Sequence, residues 1–122
     1  FITRVPRLGN PDIILIFGGI NDNWANTPIG EYKYGDFKRA DLYTYRPALA
    51  KLIELAQEHY PNVTLYFIIS DDLKTEIVES TKVVCEHYGI KYVQLQGIEK
   101  ESGHPTVKGM ETIANQVLTL IK

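Results

Sequence analysis

Residues 11–22 have the sequence PDIILIFGGIND, in which five consecutive apolar residues lead into a pair of glycines. A short apolar run without polar alternation, ended by a glycine turn, is typical of a strand that is buried on both faces. Strands of this kind belong to parallel sheets, which are covered by helices on both sides. We therefore predict a strand over residues 12–17 and a parallel sheet around it.

The same pattern of an apolar run followed by a helical stripe repeats twice more along the chain. Strands are predicted over residues 63–69 and 90–95. Helices are predicted over residues 43–59 and from Ile77 to a stop at Gly89, and a last helix carries an apolar stripe from Met110 to Ile121. This order predicts an α/β fold, a three-layer α/β/α sandwich with a parallel, flavodoxin-like sheet. Such folds bind ligands beyond the carboxyl ends of their strands.

Length and composition restrict the class of protein. The chain has 122 residues, the length of a single domain, and 44% of them are apolar. A net charge of −2 without any basic run argues against nucleic acid as a partner. The longest apolar runs fall far short of the roughly 20 residues that cross a bilayer, so we expect no membrane span. The single cysteine, Cys85, excludes an internal disulfide and a thiolate zinc cluster. We expect no metal or organic cofactor.

Two short motifs lie where strands of the predicted sheet end. Gly19-Ile20-Asn21-Asp22 follows the first strand, and Ser102-Gly103-His104-Pro105, with Gly109 beyond it, precedes the last helix. Together, and in this order, they resemble the G-x-N-D and D-x-x-H-P blocks of the SGNH hydrolases, also called the GDSL esterase/lipase family. The resemblance extends over nearly the whole chain but only over the C-terminal part of the family's domain.

The resemblance implies a serine ester hydrolase that forms an acyl-enzyme, acts on short-chain acyl or acetyl esters, and is exported to the periplasm or secreted. Asn21 would donate a hydrogen bond in the oxyanion hole, since its amide carries two N–H donors. His104 would be the general base. The alternative is an exposed histidine without a catalytic role near the start of the last helix, with Pro105 at the first helical position. Gly19 and Asp22 would support the turn around Asn21.

The chain departs from the family pattern at the third triad position, where Glu101 replaces an aspartate. Glu101 is our candidate to orient His104, with Glu99 or a backbone carbonyl as alternatives. The family's Gly-Asp-Ser nucleophile block is absent, and so is the block with the second oxyanion-hole glycine. An internal nucleophile at Ser70 lacks the G-x-S-x-G turn. Because the chain begins at Phe1, we expect the N-terminal strands and the serine to lie outside it.

The missing half would also affect stability. In the flavodoxin-like strand order, the strand that carries the serine would pair beside residues 12–17. Without it, the first strand of this chain would be a flat apolar edge, which favours aggregation. We therefore expect the isolated chain to be unstable or oligomeric, with the N-terminal half of the same domain as its partner.

The loop over residues 23–41 is long, and it leaves directly from the Asn21 turn. Aromatic rings beside polar groups suit stacking on sugars, so a glycan ester is a candidate substrate. The alternative is that these rings pack the loop onto the fold. The candidate substrate residues are Trp24, Asn26, Tyr32 and Tyr34.

Other interpretations stay open. One is a catalytically silent, SGNH-like glycan-binding domain. The glutamate at position 101 and the absent serine are the reasons for this interpretation. Another is an unrelated flavodoxin-like phosphoacceptor or nucleotide binder, although the chain has no glycine-rich phosphate loop. Asp71 and Asp72 follow the second strand and are a candidate metal pair, but a cap for the next helix is the favoured role.

Overall fold

A computed structural model describes Gly9, residues 11–19 and residues 25–121 of the chain. The strands are β1 (Ile13–Phe17), β2 (Thr64–Ile69), β3 (Lys91–Gln94), β4 (Lys100–Glu101) and β5 (His104–Pro105). The helices are α1 (Tyr45–His59), α2 (Thr75–His87) and α3 (Val107–Ile121), and a 3-10 helix spans Arg39–Tyr43.

The first three strands form one parallel sheet in the order β1-β2-β3. Ile16 is paired with Phe67, and Phe67 with Tyr92, so these side chains share one face of the sheet. The helix between each pair of strands returns the chain to the end of the sheet where the previous strand began, as parallel pairing requires. The predicted α/β fold with a parallel sheet is confirmed, and the strand ends lie within one residue of the predicted ones.

Helices cover both faces of the sheet and make two cores. On one face, α1 and α2 pack against β1 and β2 through fully buried side chains such as Ile53, Phe67 and Val84. On the other face, Val117 of α3 packs in a second cluster with Ile68 of β2 and with Leu95 and Ile98, which follow β3. The three layers hold the carboxyl ends of the strands at one end of the molecule.

Part of the second face is left open over β1 in the described residues. Ile13 and Leu15 are 44% and 46% exposed, although they belong to an apolar strand. On α3, Met110 and Leu118 are also exposed, at 62% and 48%, so only part of the predicted stripe is used in packing. The apolar surface of β1 and α3 is therefore larger than the described chain can cover. None of the described helices is long and apolar enough to cross a membrane.

The segment before α3 differs from the prediction. Residues 100–105 form a tight antiparallel hairpin, and α3 begins at Val107, so Pro105 lies in β5 and not at the first helical position. The turn residues Ser102 and Gly103 have φ values of 52° and 80°. Positive φ at both central residues defines the two-residue turn that matches the twist of a hairpin.

Candidate active site

The hairpin places two of the predicted catalytic residues side by side. It follows β3, so it lies beyond the carboxyl end of the sheet, where α/β folds bind ligands. Glu101 and His104 are direct cross-strand partners. Such partners point to the same face, with their Cβ atoms about 5 Å apart. A carboxylate and an imidazole are thus brought together on an exposed surface.

The other carboxylate of this segment lies further from the histidine. The carbonyl of Glu99 accepts a hydrogen bond from the Thr106 N–H at 3.0 Å, so Glu99 lies opposite a residue two positions beyond His104. Within the described part of the chain, neither the Glu101 nor the His104 side chain has a hydrogen-bond partner. Of the two glutamates, Glu101 is therefore the one directly opposite His104 in the hairpin.

The glycine turn after β1 lies at the same end of the sheet. Gly19 is buried with a φ of 92°, and a Cβ there would lie 3.2 Å from the Tyr45 hydroxyl and 3.4 Å from Leu73. Both the backbone conformation and the crowding require glycine at this position. The predicted oxyanion donor Asn21 and its neighbour Asp22 lie outside the described residues, and so does Trp24.

A charged network that the motifs did not indicate lies beneath the hairpin. Lys100 donates to Asp71, and also to Asp72 at 3.1 Å. The Asp71 carboxylate also accepts the Ile98 N–H at 2.9 Å, and the Ser70 hydroxyl donates to Asp72 at 2.7 Å. The two aspartates thus bind an ammonium group, and the described residues contain no cluster of three metal-ligating side chains.

The protonation of the network follows from these bonds. The hydrogen bond from Ser70, assisted by Lys100, outweighs burial and lowers the pKa of Asp72. Burial alone would lower the pKa of the Lys100 ammonium, but its bonds to the two aspartates outweigh burial and raise it. The network is therefore a lysine cation between two carboxylates. The prediction that Asp71 or Asp72 caps the next helix was wrong. Helix α2 begins at Thr75 with Lys74 at the cap position, because both aspartates bind Lys100 of the hairpin.

Ser70 is 3% exposed, with its proton directed to Asp72. A hydroxyl that is buried and bonded in this way is not presented to a substrate. The placement favours a structural role for Ser70.

The long loop is divided between the two ends of the molecule. Asn26 accepts a hydrogen bond from Lys74, just before α2, near the carboxyl ends of the strands. Tyr34 stacks on His87 with ring centroids 3.5 Å apart, in the last turn of α2, which leads to the amino end of β3. The Arg46 guanidinium lies 4.0 Å from the ring of Tyr32. Tyr32 and Tyr34 are therefore occupied in fastening the loop to the helices.

The described residues thus form a layered α/β domain in which Glu101 and His104 lie opposite each other in a hairpin beyond the carboxyl end of a parallel sheet. Residues 1–121 match the family described as GDSL-like Lipase/Acylhydrolase. The chain therefore belongs to this family of hydrolases, as the two motifs predicted.

Solved structures agree with the family. A protein from Bacteroides ovatus, described as a GDSL-like lipase, is 48% identical with a TM-score of 0.96, over 98% of this chain and 58% of its own. A similarly described protein from Bacteroides uniformis is 46% identical with a TM-score of 0.95, over 97% of this chain and 55% of its own. A Lactobacillus plantarum protein at 22% identity and a TM-score of 0.81, over 99% of this chain and 72% of its own, shares the fold. No curated protein matches the sequence. The chain thus spans little more than half of its two similar relatives.

Proposed function

We propose that this chain supplies the base-bearing half of a serine esterase for short-chain acyl or acetyl esters. The observation that carries the proposal is the exposed Glu101–His104 pair beyond the carboxyl end of the sheet, in a chain of the GDSL-like family. His104 takes the proton of a serine hydroxyl as that oxygen attacks the ester carbonyl, and an acyl-enzyme forms. His104 then protonates the departing alcohol, and water repeats the sequence to release the acid.

The nucleophile comes from a segment outside this chain. Two observations support this assignment: Ser70 is buried with its hydroxyl bonded to Asp72, and the chain spans only 58% of a 48% identical relative. The exposed Ile13 and Leu15 on β1 give that segment an apolar surface on which to pack. Asn21, two positions after Gly19 in the sequence, contributes the oxyanion donor in this proposal.

The acid of the triad is Glu101 in this proposal. Its position opposite His104 lets the carboxylate hold the imidazole in the tautomer that accepts the serine proton. Glu99 serves as the matched control, because it is exposed and lies only two positions away. Glu101→Gln should lower kcat strongly, whereas Glu99→Gln should leave it unchanged. The reverse order would assign the role to Glu99.

The first test measures hydrolysis of 4-nitrophenyl acetate by the full-length protein and its His104→Ala variant. General-base catalysis contributes about 10²–10⁴-fold, so kcat should fall by at least the lower figure. His59→Ala is the matched control, because His59 is an exposed histidine in the last turn of α1. Equal rates for His104→Ala and the wild type would remove the catalytic role and favour a silent binding domain.

A second set of assays addresses the substrate class. Release of acetate from acetylated oligosaccharides would be compared with hydrolysis of the aryl ester. Of the candidate loop residues, Asn26 contacts Lys74 near the carboxyl ends of the strands, whereas the rings of Tyr32 and Tyr34 are already stacked on Arg46 and His87. We expect Asn26→Ala to weaken turnover of a sugar ester more than that of the aryl ester. An equal effect on both would argue against a glycan substrate.

A further inference from the structure

The hairpin that carries His104 has little apolar attachment of its own. Residues 101–105 are all exposed, and only two residue pairs join β4 to β5. A two-stranded hairpin of this kind is marginally stable when it stands alone. Other contacts must therefore keep it at a fixed place above the sheet.

The Asp71 carboxylate supplies such contacts from the end of β2. One of its oxygens accepts the Lys100 ammonium, and the other accepts the Ile98 N–H at 2.9 Å. The two oxygens thus hold the hairpin strand and the segment leading to it. The side chains of Asp71 and Lys100 are only 16% and 21% exposed, so water screens the pair less than a surface ion pair.

Lys100 acts from the side of the hairpin away from His104. It is the cross-strand partner of Pro105, and successive strand side chains point to opposite faces. Lys100 and Pro105 line a small pocket together with Phe17 and Ser70. Glu101 and His104 line an open groove instead, and Lys100 does not line that groove. Lys100 can therefore influence His104 only through the backbone of the hairpin.

We propose that Lys100 and Asp71 are positioning residues, which fix the hairpin so that His104 lies at the correct distance from the serine and the ester. This inference rests on the proposed function, because the position of His104 affects turnover only if His104 is the base. Displacing a catalytic group by about 1 Å can cost about 100-fold in rate. The network should therefore affect kcat while leaving the binding of substrate nearly unchanged.

The test compares Lys100→Met with Lys33→Met in the full-length protein. Both changes remove a lysine that is ion-paired to an aspartate, but the Lys33–Asp41 pair, at 2.6 Å, lies in the long loop. We expect Lys100→Met to lower kcat by about 10–100-fold with little change in KM. Lys33→Met should behave as the wild type, and Lys100→Arg, which restores a cation, should recover most of the rate.

Two further measurements keep the outcome decisive. If Lys100→Met does not fold, Asp71→Asn replaces it, because the amide oxygen can still accept the Ile98 N–H while the charge pairing is lost. The NMR signal of the His104 imidazole, recorded in the resting protein, should shift or broaden in Lys100→Met and stay unchanged in Lys33→Met. This signal reports the position of His104 without requiring any activity.

The results separate the two proposals. Wild-type kcat and an unshifted His104 signal in Lys100→Met, with His104→Ala inactive, would overturn the positioning role and leave the esterase intact. Full activity of His104→Ala would overturn the proposed function, and the imidazole signal would then decide positioning alone. A low kcat that Lys100→Arg does not recover would indicate general damage to the fold and would also overturn the positioning role.

Discussion

Replacing Gly109 by alanine tests how closely the hairpin is packed on α3. Gly109 lies in the first turn of the helix, and a Cβ built on it would lie 2.1 Å from the carbonyl oxygen of Glu99. Ordinary contacts of a Cβ begin at about 3.4 Å, so the two backbones must separate by more than an ångström. Both sides of the contact are main chain, which cannot turn away as a flexible side chain could.

The separation would break contacts whose free energies can be estimated. The Thr106 N–H to Glu99 bond of 3.0 Å is worth about 1 kcal/mol of the free energy of unfolding. The Gly109 N–H donates to the Thr106 hydroxyl at 3.1 Å, a capping bond worth about 1 kcal/mol. Overpacking adds about 1–3 kcal/mol. Alanine regains about 1 kcal/mol of helix propensity, so we expect a net loss of about 2–4 kcal/mol.

Urea unfolding of the full-length protein, followed by circular dichroism, gives the difference directly. Asn115→Ala is the control, because Asn115 is an exposed residue of the same helix, and alanine there should raise the midpoint slightly. Helix propensity alone predicts the same sign for both variants, whereas the Glu99 contact predicts opposite signs. A Gly109→Ala midpoint at or above the wild-type value would refute the close packing of hairpin and helix.

Three other predictions follow from burial, backbone conformation and the open sheet face. Burial raises the pKa of the Cys85 thiol from 9.0 to about 12, so iodoacetamide at pH 8 should label it only in denaturant. The folded chain releases that proton only at a higher pH than the unfolded chain does. The free energy of unfolding should therefore fall as the pH rises from 9 to 12, and it should fall less in Cys85→Ala. Ser102→Gly relieves a φ of 52° and should raise the thermal midpoint, whereas Ser102→Val should lower it. The isolated 122-residue chain should associate in sedimentation experiments, and Leu15→Lys should weaken that association; a monodisperse wild-type monomer would contradict this.

The layered part of the fold could be predicted because its signals are local. An apolar run such as residues 64–69 and an apolar stripe such as that of α3 can each be recognised within a short window of sequence. The hairpin was missed because its strands are two residues long, too short for any periodicity, and because Pro105 is as compatible with a helix start as with an edge strand. The one signal for it was the Ser102-Gly103 pair, a common turn sequence.

The charged network was beyond sequence reasoning for a different reason. Lys100 and Asp71 are 29 positions apart, and Lys100 has a glutamate on each side in the sequence that would be an equally reasonable partner. Their pairing is set by where β2 ends relative to the hairpin, which depends on the packing of α3. The two motifs located the candidate site, but the groups that fix its geometry lie outside the motifs.

The glutamate at position 101 is easier to understand once the hairpin is known. In a two-residue hairpin, the positions flanking the turn face each other directly, with their Cβ atoms about 5 Å apart. That spacing leaves room for a side chain one methylene longer than aspartate, because the chain can fold back over the exposed face of the hairpin toward the imidazole. The hairpin is therefore compatible with the proposed role of Glu101 as the orienting acid, and the charge that it would bring to His104 is the same as that of aspartate.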